Sequence, residues 1–308
     1  MKKSLKWLLI PTILVLTLSG CVFSEVNPNT STDSNTQANQ GGQSGGGQGS
    51  QNTNSGNTYI QTTYGVFLDY DGDLNELDDY DYLVIDAQYH TGEEILRHNG
   101  YRQCVYSYLN IGSVEEFRDY YDRFEDITLG DYENWEGEKW VDVSDERWQQ
   151  FILEELAPSL LEKGVNGFFV DNCDVYYQYP TEEILEGLTV IMEGLKDMGC
   201  DCVINGGDVF LEAYTENGGD WRNIITGINQ ECVFTSINWD DDTLNAASDE
   251  DKDYFTEYIE KYADQGAYIF LIEYAEDIPE NRPLRYNIRY YSEEHGFLYY
   301  ISESIDLD

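Results

Sequence analysis

The sequence predicts a (β/α)8 TIM barrel, and three observations carry that prediction. Eight short, apolar, β-rich runs recur along the chain, and most of the stretches between them change to helical spacing. The part able to fold is about 250 residues long, the usual size of such a barrel. Strands that are apolar on both faces and alternate with helices need a parallel sheet covered by helices. Eight such units close naturally into a barrel. A doubly wound open sheet is the alternative architecture.

The strands are expected at 64–69 (YGVFLD), 82–88 (YLVIDAQ), 103–110 (QCVYSYLN), 166–171 (NGFFVD), 201–206 (DCVING), 227–233 (GINQECV), 267–273 (AYIFLIE) and 296–302 (GFLYYIS). Helical spacing falls at 92–99, 114–124, 145–163, 181–198, 208–217, 249–265 and 283–294. Gly164 supplies a stop after ERWQQFILEELAPSLLEK. Thr181, followed closely by glutamates, supplies a start for the next helix.

Everything before about residue 59 reads differently. Residues 1–20 have a basic start and an apolar stretch from Trp7 to Leu18, too short to span a membrane, which reads as a signal peptide. Leu18-Ser19-Gly20-Cys21 is similar to a bacterial lipobox, so Cys21 is the expected lipidation site and the membrane is met through that anchor alone. Residues 21–58 are rich in Ser, Gly, Asn and Gln and read as a flexible tether with a reach of roughly 35 Å. The folded domain is then 59–308, held at the extracellular face of a bacterial membrane.

Lys2, Lys3, Lys6, Glu25 and Asp33 are the only charges before residue 59, so the chain's net charge of −43 becomes −44 in the domain. A field of that sign repels nucleic acid and draws in cations. It suits a generally soluble acidic surface or a polycationic substrate, and charge alone does not choose between them. Of the six cysteines, Cys104, Cys173, Cys200, Cys202 and Cys232 remain beside Cys21. They have no CxxC spacing and read mostly as free core thiols, with room for one disulfide.

The chain holds three histidines, His90, His98 and His295, none at metal-ligand spacing, so no metal is expected. There is no GxSxG elbow, P-loop or dinucleotide fingerprint, and no cofactor is expected. What remains is carboxylates beside aromatics. Catalytic groups of a barrel sit where its strands end, and Asp69, Asp86, Asp171, Glu231 and Glu273 all stand at such ends. Two or three of them are expected to do chemistry and the others to bind hydroxyls or amines. Asp174, Asn205, Tyr108, Trp135, Trp140 and Trp239 join them as candidate substrate contacts. Glycoside cleavage needs one carboxyl to protonate the leaving oxygen and a second to attack or to activate water.

Three segments sharpen this reading: NIGSVEEFRDYY, NWEGEKWVDV and GVNGFFVDNCD. In combination they resemble the barrel domain of glycoside hydrolase family 114, the endo-α-1,4-polygalactosaminidases. Ile111, Gly112, Glu115 and Arg118 match the element after strand three, with Ser113 in place of a family acid and Phe117 in place of a tyrosine. Trp135, Gly137, Glu138 and Trp140 match WxGExW. Gly164, Gly167, Phe168, Asp171, Asn172 and Asp174 match the strand-four element, with Asn166 replacing its first aspartate. GINQECVF is similar to the family's sixth strand and carries Glu231. The resemblance implies an endo-hydrolase of α-1,4-linked galactosamine polymers, with Asp171 as nucleophile or base and Glu231 as acid/base. Its substrate would be a cationic amino-sugar polysaccharide, to which Glu115, Arg118, Trp135 and Trp140 would also bind.

Two other readings compete. GVNGFFVDNCD is also similar to the DGxDxDxE strand of family 18 chitinases, but Tyr176 or Tyr177 stands where that family needs its acid. A non-catalytic surface protein that binds polysaccharide is the other, and Ser113 and Asn166 are the departures that favour it.

Overall fold

The computed structural model describes residues 62–99 and 103–308. The signal peptide, Cys21, the tether and the first residues of the 59–308 domain lie outside the described residues. All eight expected strands form: β1 (Tyr64–Phe67), β2 (Tyr82–Ile85), β3 (Cys104–Asn110), β4 (Gly167–Asp171), β5 (Asp201–Asn205), β6 (Gly227–Glu231), β7 (Tyr268–Tyr274) and β8 (Leu298–Ser302). They pair in chain order in one sheet, every pair parallel. β8 returns beside β1, which makes a barrel of the sheet. At the rim, Leu68 N–H donates to the Leu307 carbonyl at 2.9 Å and ties the C-terminal residues across the mouth.

Side chains alternate along each strand. Val66, Val84, Tyr106, Phe169, Val203 and Phe270 point inward and fill the barrel. Leu83, Val105, Phe168, Ile204, Ile228 and Leu271 point outward and pack beneath the helices. These are α1 (Gly92–His98), α2, α3 (Glu182–Asp197), α4 (Asp208–Glu216), α5 (Asp249–Ala263) and α6 (Arg282–His295). α2 is a continuous run whose α-helical ends (Glu146–Gln150 and Ala157–Glu162) flank a π segment (Phe151–Leu156). The starts follow the sequence signals. Thr91 and Glu94 form a reciprocal capping box on α1, and the Thr181 hydroxyl accepts from Ile184 N–H at the start of α3.

The segment 114–124, expected as a helix, is not one. Ser113–Glu115 is an edge strand of a three-stranded antiparallel sheet with Glu138–Val141 in the middle and Thr128–Asp131 beyond it, and Tyr121–Arg123 makes a single 3-10 turn. Tertiary contacts override the local spacing: Val114 is fully buried, and Glu115 turns inward to an ion pair with Arg118. A second insert, the hairpin Thr235–Asn238 with Thr243–Ala246, follows β6 and carries no strong strand pattern. Both inserts rise from the C-terminal ends of barrel strands, where they build walls for a cleft.

Candidate active site

The cleft over the barrel's C-terminal mouth has a volume of about 620 Å³, within the range of ligand sites. Its floor is made by the inward-facing ends of neighbouring strands. Asp171 ends β4, Asn205 ends β5 and Glu231 ends β6. A single Asn205 Nδ2 donates to Asp171 Oδ1 at 2.9 Å and to Glu231 Oε1 at 2.7 Å. The two acceptor oxygens are therefore no farther apart than those two bonds laid end to end. That limit holds for the two facing oxygens, and it sets both carboxyls within reach of one glycosidic bond.

The orientation of Asn205 is set from behind. Asn229 Nδ2 donates to Asn205 Oδ1 at 2.7 Å, and the Tyr64 hydroxyl donates to Asn229 Oδ1 at 3.0 Å. With its oxygen occupied from inside the barrel, the Asn205 amide presents its NH2 to both carboxylates. Tyr274 OH donates to Glu231 Oε2.

Burial, opposed by the hydrogen bond from Asn205 and reinforced by the charge of Glu231, pushes Asp171 up to about 6. Asp171 is thus mostly ionised at neutral pH and protonates in mildly acidic solution. Asp174 sits against the start of α4, beside the Gly207 N–H. Burial first, then the charges of Asp208 and Asp171, push it up to about 7.

Asp86 and Glu115 share Arg118, whose Nη1 donates to Asp86 at 2.6 Å and Nη2 to Glu115 at 3.0 Å. All three are buried. Among the described residues, Arg118 is the one cation lining the cleft, against ten carboxylates. Both acids that Arg118 pairs with are among those ten, so the cleft stays strongly negative. Among the same residues, no group of three or more His, Cys, Asp or Glu side chains is arranged to hold a metal ion.

The walls are aromatic. Trp135, from the three-stranded insert, and Trp239, at the tip of the hairpin, meet edge to face with ring centroids 6.0 Å apart. Each is about two-fifths exposed. Tyr89, Tyr108, Tyr132, Tyr274 and Phe255 also line it, with Phe117 at the side of Arg118.

Of the residues singled out in the sequence, Asp69, Asp86, Tyr108, Glu115, Arg118, Trp135, Asp171, Asp174, Asn205, Glu231 and Trp239 all line this one cleft. Two do not. Trp140 is buried and stacks at 4.2 Å on Tyr132, the ring that does face the cleft. Glu273 is completely buried and accepts from the Phe234 and Thr235 N–H groups and the Thr235 hydroxyl, at the root of the hairpin. Sequence reasoning missed Tyr132 and the Tyr64–Asn229 support, and it matched Glu138 to a motif without placing it in the site. Glu138 stands inside the WEGEKW segment, so its motif was legible although its position was not.

A family model described as glycoside-hydrolase family GH114 matches residues 47–204, half of the chain. Glu231 lies beyond that span. No curated protein matches the chain. Among solved structures, the glycoside hydrolase domain of PelA from Pseudomonas aeruginosa is similar at 17% identity and a TM-score of 0.66, over 80% of this chain and 96% of that one. Ega3 from Aspergillus fumigatus, solved in complex with galactosamine, is similar at 16% identity and a TM-score of 0.63, over 81% and 93% respectively. At these identities the likeness is one of fold.

Proposed function

The chain belongs to glycoside-hydrolase family GH114, and from that premise we propose that it is an endo-acting, retaining hydrolase of α-1,4-linked galactosamine-containing polysaccharide. The observation that carries this reading is the amide of Asn205, bonded at once to Asp171 and Glu231 at the floor of a cleft lined by carboxylates. In the proposed mechanism Asp171 attacks the anomeric carbon while Glu231 gives a proton to the leaving oxygen. Water, deprotonated by Glu231, then releases the glycosyl group from Asp171. The donors around Asp171 favour its ionised form, and the Tyr274 hydroxyl steers Glu231.

Several features support an amino-sugar substrate. The negative cleft attracts ammonium groups, the indoles of Trp135 and Trp239 offer flat faces for sugar rings, and the Ega3 structure holds galactosamine. The closeness of the two carboxyls speaks against a purely binding protein, which has no need of it. Anchoring through Cys21 at the bacterial surface belongs to the same proposal.

Mass spectrometry of products tests it. Incubation with partly deacetylated galactosaminogalactan is expected to release short oligosaccharides, and Asp171→Asn to lower the rate by about a thousandfold or more. Equal products from neutral galactans, or an undiminished rate in Asp171→Asn, contradict the reading.

A further inference from the structure

Glu138 begins the central strand of the insert (Glu138–Val141) and faces the same cleft as Asp171. Its two carboxylate oxygens live in different surroundings. Oε1 accepts from three donors: Asn110 Nδ2 at 3.0 Å, Asn172 Nδ2 at 3.0 Å and the Ser113 hydroxyl. Oε2 has no hydrogen-bond partner among the described residues, although a carboxylate oxygen has room for two.

The three donors come from the site's own framework. Asn110 lies in register with Asp171 across β3 and β4, and Asn172 is the next residue in the chain. Asn172 holds a left-handed backbone, φ 66°, and its carbonyl oxygen lies so near Gly112 that a Cβ there would come within 1.7 Å of it. The knot therefore fixes the Glu138 carboxyl relative to Asp171 and leaves one oxygen free.

Among the described residues, no cation pairs with Glu138. Glu115, directly opposite on the neighbouring strand, has Arg118, whereas the adjacent Lys139 pairs with Glu116. Burial, together with the charges of Glu115 and Asp171, pushes Glu138 up to about 7 against the pull of its donors. A bound cation would relieve that cost. The aromatic partner is close in the chain. Glu138 N–H donates to the Trp135 carbonyl at 3.2 Å, and Gly137 takes φ +83° to close this turn, so ring and carboxylate stand at its two ends.

We propose that Glu138 Oε2 receives the ammonium group of the amino sugar seated against Trp135, and so makes this position select deacetylated over N-acetylated units. The inference rests on the galactosamine reading above. An ammonium brings a positive charge and three donors to an oxygen, Oε2, that has no donor. An acetamide brings one neutral N–H and a carbonyl that the carboxylate repels. Ser113 is part of the device, because its hydroxyl donates to Oε1 and leaves Oε2 facing the cleft.

The test is calorimetric binding of a galactosamine oligosaccharide and its fully N-acetylated counterpart to the full chain carrying Asp171→Asn, which prevents turnover. Adding Glu138→Gln retains a side-chain oxygen for the three donors and removes the charge. It is expected to weaken binding of the deacetylated oligosaccharide about tenfold and to change that of the acetylated one less than twofold. Equal weakening of both ligands, which a collapsed wall would cause, overturns the proposal, as does no weakening of either. Failure of the Asp171→Asn chain to bind either ligand overturns the galactosamine reading itself, and this inference with it.

Discussion

Glu231 ends β6 and Glu273 is the last residue but one of the adjacent parallel strand β7, at the same rim of the barrel, yet they face opposite ways. Glu231 shares the inward parity of Asn229 and reaches the cleft floor, bonded to Asn205 and Tyr274. Glu273 shares the outward parity of Ile269 and Leu271. It is wholly enclosed and gathers the backbone at the root of the hairpin. A carboxylate at the catalytic rim of a barrel is therefore not thereby a catalytic carboxylate. The strand's two-residue alternation decides which way it faces, and a one-residue difference in strand phase turns a cleft-facing group into an enclosed one.

Conservative substitutions separate the two roles most sharply. Glu231→Gln is expected to lower kcat by about a hundredfold to ten-thousandfold with little change in melting temperature, because a general acid/base is lost while the amide oxygen still accepts from Asn205 and the Tyr274 hydroxyl can accept from the new NH2. Glu273→Gln is expected to keep kcat within about tenfold and to cost roughly 1–3 kcal/mol of stability. Its amide NH2 would confront N–H donors that now have an acceptor. Steady-state kinetics paired with thermal melts reads both. The reverse pattern would mean that the inner and outer positions have been assigned the wrong way round.

The comparison also has a pH signature, smaller in size. Glu273, Asp174 and Glu138 are pushed up to about 7 and Asp171 to about 6, in each case chiefly by burial. In the unfolded chain such groups ionise near 4. Between about pH 4 and 7 the folded protein thus binds more protons than the unfolded one, so the free energy of unfolding falls as pH rises through that window. The melting temperature should be higher at pH 5 than at pH 8, and Glu273→Gln should shrink the difference. Activity should move the other way, declining below about pH 6 as Asp171 takes up its proton. A melting temperature that climbs with pH would contradict these assignments.

The fold was largely legible in the sequence because eight apolar runs and the cap at Thr181 are local signals. The two inserts were not. Residues 114–124 have helical spacing, and only long-range contacts such as Arg118 with Asp86 make them strand and loop. The short hairpin strands leave most of their residues partly exposed and have no apolar run to announce them. Asp171 and Glu231 were legible as cleft residues because each closes an apolar run and belongs to a recognisable motif. Glu273 was misread for a reason built into parallel barrels: AYIFLIE is apolar on both faces, so the alternation that turns Glu273 outward leaves no trace in hydrophobicity. Trp140 shares this ambiguity, since its motif marks the wall without saying which indole faces the sugar. Glu138 was matched to a motif but not read as a site residue, because its partners Asn110, Ser113 and Asn172 come together only in the folded chain.

The central claim is that Asp171 and Glu231 cleave a galactosamine polymer by double displacement, and the stereochemistry of the first product tests it most directly. Proton NMR of a reaction on an α-1,4-galactosamine oligosaccharide, recorded before mutarotation, should show the new reducing end appearing first as the α-anomer. Initial accumulation of the β-anomer would mean a single displacement by water, and would contradict the account.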